Sequence, residues 1–247
     1  YVKIANSGEK LDLLTLARRP FGKILVKLLL TSRCKFIAIT EYIKLELSQL
    51  YGIDSSSIEC IPNGVVVASR YNKPDPIGRT IVFLGRLEPV KCPGLILDLA
   101  QTALNFDYEI YGSGSLRDSL VSAINTDDIK NVALKGETDA PQEVLNRSTI
   151  MILPSFTEGL SNSILEALSK GVPVLVRDIP QNRFLSDGIE STAVPGVLVS
   201  GTKTSEWAAG VDLIMSNYDR FSRNAYDSAQ KFNIELVAKK LESMYTR

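Results

Sequence analysis

Thr80-Ile81-Val82-Phe83-Leu84-Gly85-Arg86-Leu87-Glu88-Pro89-Val90-Lys91-Cys92-Pro93-Gly94 is the stretch that decides the fold. An unbroken β-branched and apolar run predicts a strand over Thr80–Gly85. A loop with two cations follows. Pro93 then suits the first turn of a helix, where a missing N–H forfeits no helical hydrogen bond. The same strand, loop and helix pattern recurs, with strands predicted at Tyr108–Gly112, Asn131–Gly136, Thr149–Pro154, Val172–Val176 and Gly196–Val199. Regular βα alternation from about residue 78 predicts an α/β fold, a Rossmann-like doubly wound parallel sheet. Ligands of such sheets sit outside the carboxyl ends of the strands. The loops after the strands are therefore where functional residues are expected.

Upstream, Val2–Ala5 reads as the end of a strand, Leu11–Thr31 as mostly helical, Phe36–Thr40 as a buried strand, Glu41–Tyr51 as a helix and Ser57–Ile61 as another strand. Pro62-Asn63-Gly64 and Lys73-Pro74-Asp75-Pro76 punctuate the chain. From Ser205 the tail reads as two or three amphipathic helices, the last capped by Asn233. The expected organisation is a C-terminal part of one α/β domain over 1–65, a Rossmann-like domain over 66–232, and a helix over 233–247 that packs back on the first domain. Beginning at Tyr1 inside a strand, the chain reads as a fragment of a longer protein.

Composition narrows the chemistry. The 247 residues carry 28 basic and 28 acidic side chains and no histidine. No imidazole in this chain can serve in a catalytic triad, a Cys-His pair or a histidine-ligated zinc site. Zero net charge gives no support for a nucleic-acid partner. Cys34, Cys60 and Cys92 are widely spaced and read as reduced thiols of a cytoplasmic protein. No apolar stretch approaches the roughly 20 residues of a spanning helix.

Four loops are candidates. Arg86 and Lys91 lie five positions apart before a helix start, suited to a diphosphate, although two solvated loop charges give the same pattern. Gly112-Ser113-Gly114 lets backbone pass close to a ligand, or makes a plain turn. Pro154-Ser155-Phe156-Thr157-Glu158-Gly159-Leu160-Ser161 places Glu158 on a loop and starts a helix that carries Glu166 about one turn in. Both carboxylates then suit sugar hydroxyls, and the free N–H groups between them suit phosphate. Ser163-Ile164-Leu165-Glu166 also matches a capping box. Gly136-Glu137-Thr138-Asp139-Ala140-Pro141 either frames a base through its backbone or leads into a helix.

Taken in order, Gly85-Arg86-Leu87 with Lys91, Tyr111-Gly112-Ser113-Gly114, and Glu158 with Glu166 in a Pro-Ser-x-x-Glu-Gly context resemble the retaining glycosyltransferases of family 4, which have the GT-B fold. The resemblance covers Thr80 to the end and reaches back to Phe36–Gly64. It implies that Arg86 and Lys91 bind the donor's diphosphate, that Glu158 contacts its sugar with Gly159, Leu160 and Ser161 nearby, and that Glu166 holds the ribose. Gly85, Gly112, Gly114 and Gly136 complete the implied donor site. No metal or cofactor is implied, and no Asp-x-Asp occurs; the donor is a nucleotide sugar such as a UDP- or GDP-sugar. Cys92 departs from the glycine that usually follows the motif lysine. Asn6-Ser7-Gly8-Glu9 resembles the acceptor-side loop of relatives that lack its histidine. With most of an acceptor domain missing, the chain is expected to bind a donor and transfer it inefficiently.

The resemblance implies sugar transfer to a glycan or lipid-linked acceptor, as in polysaccharide biosynthesis. The alternatives are a sugar-nucleotide epimerase, disfavoured by the absence of histidine, and a non-catalytic nucleotide-sugar-binding module. Charge is uneven: residues 10–35 hold Lys10, Arg18, Arg19, Lys23, Lys27, Arg33 and Lys35 against Asp12 alone, a net of +6. Interleaved with leucine and isoleucine, this stretch suits either an anionic membrane surface or the solvated face of a packed helix.

Overall fold

The computed structural model describes residues 1–6, 11–32, 34–72, 79–186 and 189–246. The chain divides into two compact units, Tyr1–Gly64 with Thr157–Ser161 and Ile234–Arg247, and Val65–Phe156 with Asn162–Asn233. Ser7-Gly8-Glu9, Lys10, Arg33 and the Lys73–Pro76 punctuation lie outside the described residues.

In the first unit, β1 (Val2–Ile4), β2 (Phe36–Ala38) and β3 (Ile58–Cys60) form a parallel sheet in the order β1-β2-β3. The helical stretch before β2 is two helices, α1 (Asp12–Ala17) and α2 (Gly22–Thr31). They are separated at Arg18–Phe21, where Pro20 removes a helical donor and Phe21 takes a left-handed φ of 58°. α2 buries Gly22 and Val26. Phe21, Ile24, Leu25 and Leu28, an apolar stripe at helical spacing, are instead exposed. α3 (Glu41–Tyr51) starts at Thr40, whose hydroxyl accepts from the Ile43 N–H, and ends at Gly52 in the left-handed conformation.

The last helix belongs to this unit. Ile37 and Ile61 pack with Val237 and Met244 of α10 (Ile234–Tyr245, numbered by its place in the chain). Tyr1 Oη donates to the Met244 carbonyl at 2.8 Å, and Lys240 Nζ to that of Cys60 at 2.6 Å. Asn233 immediately precedes α10, and Val65 bridges to it in parallel.

The second unit is a six-stranded, wholly parallel sheet. Its strands are β4 (Thr80–Leu84), β5 (Asp107–Tyr111), β6 (Val132–Gly136), β7 (Ile150–Leu153), β8 (Val174–Arg177) and β9 (Gly196–Val199), in the order β6-β5-β4-β7-β8-β9. The chain enters at β4, runs outward through β5 to β6, then crosses to β7 on the other side of β4 and proceeds to β9. That is the doubly wound order, with its switch point between β4 and β7. The helices are α4 (Gly94–Thr102), α5 (Arg117–Thr126), α6 (Pro141–Asn146), α7 (Asn162–Ser169), α8 (Thr204–Ser216) and α9 (Tyr218–Ala229). Every residue of β7 and β8 is buried, including Arg177, and Trp207, Tyr108, Phe83 and Phe221 are the largest fully buried side chains of this core. The fold is thus α/β, a Rossmann-like doubly wound sheet with a second, smaller α/β unit.

Two sequence expectations shift. The strand expected at Val172–Val176 begins at Val174 and continues through Arg177, which pairs with Val199. The segment Thr157–Ser161, expected within the Rossmann-like domain, groups with the first unit. Its Gly159 lies so close to the end of β1 that an added Cβ would stand 2.1 Å from the Ala5 carbonyl oxygen.

Candidate functional site

The loops after β4, β5 and β6 are stitched together by their own backbones. The Gly85 N–H donates to the Tyr111 carbonyl (3.1 Å), Leu87 to Ser113 (2.8 Å), Leu116 to Leu87 (2.9 Å) and Gly112 to Gly136 (2.7 Å). Such an approach requires glycine. A Cβ on Gly112, whose φ is +136°, would lie 1.9 Å from the Gly85 carbonyl oxygen, and one on Gly114 2.5 Å from that of Leu87. The Gly112-Ser113-Gly114 run therefore serves loop-to-loop packing, where the sequence pointed to close approach of a ligand or a plain turn. Glu88 adds a side-chain tie, accepting from the Ser115 N–H (3.1 Å) and hydroxyl (2.8 Å), and the Ser113 hydroxyl bonds Glu137.

These loops line an open cavity of about 380 Å³. Gly85, Arg86, Tyr111 and Gly112 line it, as does the loop after β6 through Glu137, Thr138 and Asp139. The loop also leads into α6 with Pro141 at the first helical position, as the helix-leading reading expects. Arg86 brings the cavity a cation, and Glu137 and Asp139 bring it carboxylates. Tyr111 is fixed from behind: its hydroxyl donates to Glu109 Oε2 (2.9 Å) and accepts from Arg147 Nη2 (2.5 Å). Burial pushes the Glu109 carboxyl up, but hydrogen bonds from Tyr111 and Arg147 and the charges of Arg147 and Lys135 outweigh it and hold it below the usual range. Burial, then Glu109, raises the Tyr111 phenol.

Lys91 stands outside the cavity lining, half-buried at the end of a 3-10 turn, Pro89–Lys91. Cys92 follows in the left-handed conformation, φ 51° and ψ 46°. Cysteine here adopts the backbone that glycine takes without strain, so the departure from the glycine of the family pattern leaves a left-handed backbone at this position. Pro93 is the residue before α4, one position earlier than the sequence suggested.

Across the switch point, the Phe156 N–H donates to the Val90 carbonyl at 2.8 Å and ties the β7 loop to the β4 loop. Glu158 and Leu160 are buried in the first unit, which also holds Gly159 and Ser161. Glu166 belongs to the second unit and lies half-buried on α7, where burial raises its carboxyl pKa. Ser163 is the second residue of α7, so Ser163-x-x-Glu166 does not stand where a capping box requires its serine.

The structure thus gathers Gly85, Arg86 and Gly112 at one cavity, with Gly114 and Gly136 buttressing its loops. Sequence reasoning gave no role to Glu88 or Arg177, and took Tyr111 only as part of the glycine motif. Arg177 is 5% exposed at the end of β8. Its one sequence signal, a charge closing an apolar run, reads equally well as the end of a strand.

A doubly wound parallel sheet with a cavity at the carboxyl ends of β4, β5 and β6 is the architecture found in GT-B glycosyltransferases. The chain belongs to the glycosyl transferases group 1 family, whose model matches residues 78–217, more than half of it. It is 26% identical over 203 residues to the D-inositol 3-phosphate glycosyltransferase of Nocardia farcinica, covering 72% of this chain and 44% of that protein. It is 28% identical over 188 residues to the poly(ribitol-phosphate) alpha-N-acetylglucosaminyltransferase of Staphylococcus aureus, covering 73% and 36%. Among solved structures, Anabaena Alr3699/HepE in complex with UDP and glucose superposes with a TM-score of 0.82 at 17% identity, over 99% of this chain and 70% of that one. The S. aureus TarM G117R mutant in complex with fondaparinux, alpha-GlcNAc-glycerol and UDP gives 0.78 at 20%, over 99% and 50%. These likenesses show the shared fold. The chain spans about half the length, or less, of the curated relatives it matches.

Proposed function

We propose that the protein is a retaining, metal-independent glycosyltransferase of family 4 that moves a sugar from a nucleoside-diphosphate sugar to a glycan or lipid-linked acceptor. The observation that carries this reading is the open cavity beside Arg86, lined by loops whose backbones are bonded to one another. Preorganised loops need no ordering when an anionic donor arrives. Departure of the diphosphate puts negative charge on its oxygens, and fixed cations at that point are the largest contribution a protein can make. Arg86, with Lys91, is assigned to the leaving diphosphate, Glu158 to hydroxyls of the donor sugar and Glu166 to the ribose. The UDP bound in structurally similar glycosyltransferases favours a uridine nucleotide.

Calorimetry of the full-length protein with UDP, GDP and ADP tests the site, and release of nucleoside diphosphate on adding acceptor tests the enzyme. Binding without release would leave a nucleotide-sugar-binding module. The fragment described by 1–247 is expected to bind donor and turn over poorly. We assign the exposed stripe Phe21, Ile24, Leu25 and Leu28, beside Arg18, Arg19, Lys23 and Lys27, to the inner face of a cytoplasmic membrane. Among the described residues no helix is long and apolar enough to cross a membrane. Sedimentation with anionic and neutral liposomes checks the assignment; equal binding to both removes it.

A further inference from the structure

Arg177 is a buried guanidinium with no ion-pair partner among the described residues. Its neighbour Asp178 is engaged elsewhere, accepting from Arg183 Nε and from the Ser200 hydroxyl, both at 3.1 Å. A buried charge without a counter-ion is costly unless its protons are satisfied. Arg177 meets that cost with backbone oxygens and aromatic faces. Nε donates to the Pro154 carbonyl (3.1 Å) and Nη1 to that of Gly201 (3.3 Å). The guanidinium lies 4.3 Å from the centre of the Phe156 ring and 5.5 Å from that of Trp207. One side chain on β8 therefore grips the loops after β7 and β9. Through the Phe156 N–H to Val90 carbonyl bond, the grip extends to the turn that carries Lys91.

We infer that Arg177 is a positioning residue of the donor site: it clamps the Pro154–Phe156 turn and, through Val90, sets the loop that bears Lys91. The inference rests on the donor-site reading above. Planarity is what suits arginine to the task, because the same fork must donate to two carbonyls while stacking on a ring. An ammonium cannot do both. Phe156 is 53% exposed although it stacks on the guanidinium, so it serves the clamp more than the core.

The test is a double-mutant cycle in the full-length protein, with Arg177→Met, Phe156→Ala and the pair, read by UDP affinity in calorimetry and by thermal melting. Each single change is expected to weaken UDP by about 10-fold, the pair by no more than the stronger single, and Arg177→Lys to restore little. A purely structural arginine would lower the melting temperature and leave the affinity of the folded protein unchanged. If Arg177→Met does not fold, Phe156→Ala decides, since its exposed ring can be removed without opening the core. Wild-type affinity in the folded variants, or losses that multiply in the pair, overturns the clamp. A wild-type protein that binds none of UDP, GDP and ADP overturns the donor-site reading and the clamp with it.

Discussion

The two halves of the six-stranded sheet hold their carboxyl-end loops in opposite ways. On the β4–β5–β6 side, backbone meets backbone: Gly85, Leu87, Gly112 and Leu116 donate across loops, and Gly112 and Gly114 leave no room for a side chain. On the β7–β8–β9 side, side chains share the holding: the buried Arg177 guanidinium reaches the loops after both β7 and β9, and Asp178 accepts from Ser200. Backbone stitching makes a rigid floor that tolerates no added volume. A side-chain clamp is a replaceable part, reached through one residue. The first arrangement suits a surface that must be ready before a ligand arrives, the second a loop whose setting can be tuned by substitution.

The contrast can be broken most sharply at Gly112. Gly112→Val adds both overpacking against the Gly85 carbonyl and strain at a positive φ, and is expected to cost on the order of 4 kcal/mol, read by chemical denaturation. A loss under 1 kcal/mol would mean that the loops are not stitched. Next in size, Arg86→Ala should lower donor turnover of the full-length enzyme by about 100-fold with little change in melting temperature. Unchanged turnover removes Arg86 from the site.

Glu166→Gln probes the half-buried carboxyl on α7. Because burial raises its pKa in the folded state, the stability it contributes is present below the unfolded pKa and is lost as pH rises through the folded one. The glutamine variant should therefore melt higher than wild type at pH 7, the difference closing as pH falls into the ordinary carboxylate range. Losing a charged acceptor for ribose hydroxyls should meanwhile weaken UDP by roughly 10-fold. A variant with unchanged UDP affinity would confine Glu166 to structure. The smallest effect is expected at Cys92→Gly. Relief of a left-handed residue, offset by the greater freedom of glycine when unfolded, should stabilise by roughly 0.5–1 kcal/mol in denaturant melts. A destabilised variant would mean that packing of the thiol, and not the backbone, decides that position.

Much of the fold was legible because strand formation here is local. Ile81–Leu84 and Ile150–Leu153 are continuous apolar runs, and a strand buried on both faces leaves that signature whatever its neighbours are. The β8 strand was misjudged for the same reason. Arg177 looks like a solvated end, and its burial depends on Pro154 and Gly201, 23 and 24 residues away. The break between α1 and α2 was hidden by the leucine-rich runs that flank Arg18–Phe21 on both sides, although Pro20 was there to be weighed. At the site, Arg86 was readable as a cation after a strand. Tyr111 was read only as part of a glycine motif, because its place in the cavity depends on Glu109 and Arg147 behind it.

The sequence by itself determined the alternation of strands and helices, the absence of imidazole chemistry and the positions of the cations and carboxylates in their loops, since each depends only on neighbouring residues. Tertiary structure decided the strand order β6-β5-β4-β7-β8-β9, the use of Gly112 and Gly114 for loop packing, the grouping of Thr157–Ser161 with the first unit and the burial of Arg177. Each of these is a contact between segments far apart in the chain, and neither periodicity nor propensity carries a record of which distant carbonyl a side chain will meet.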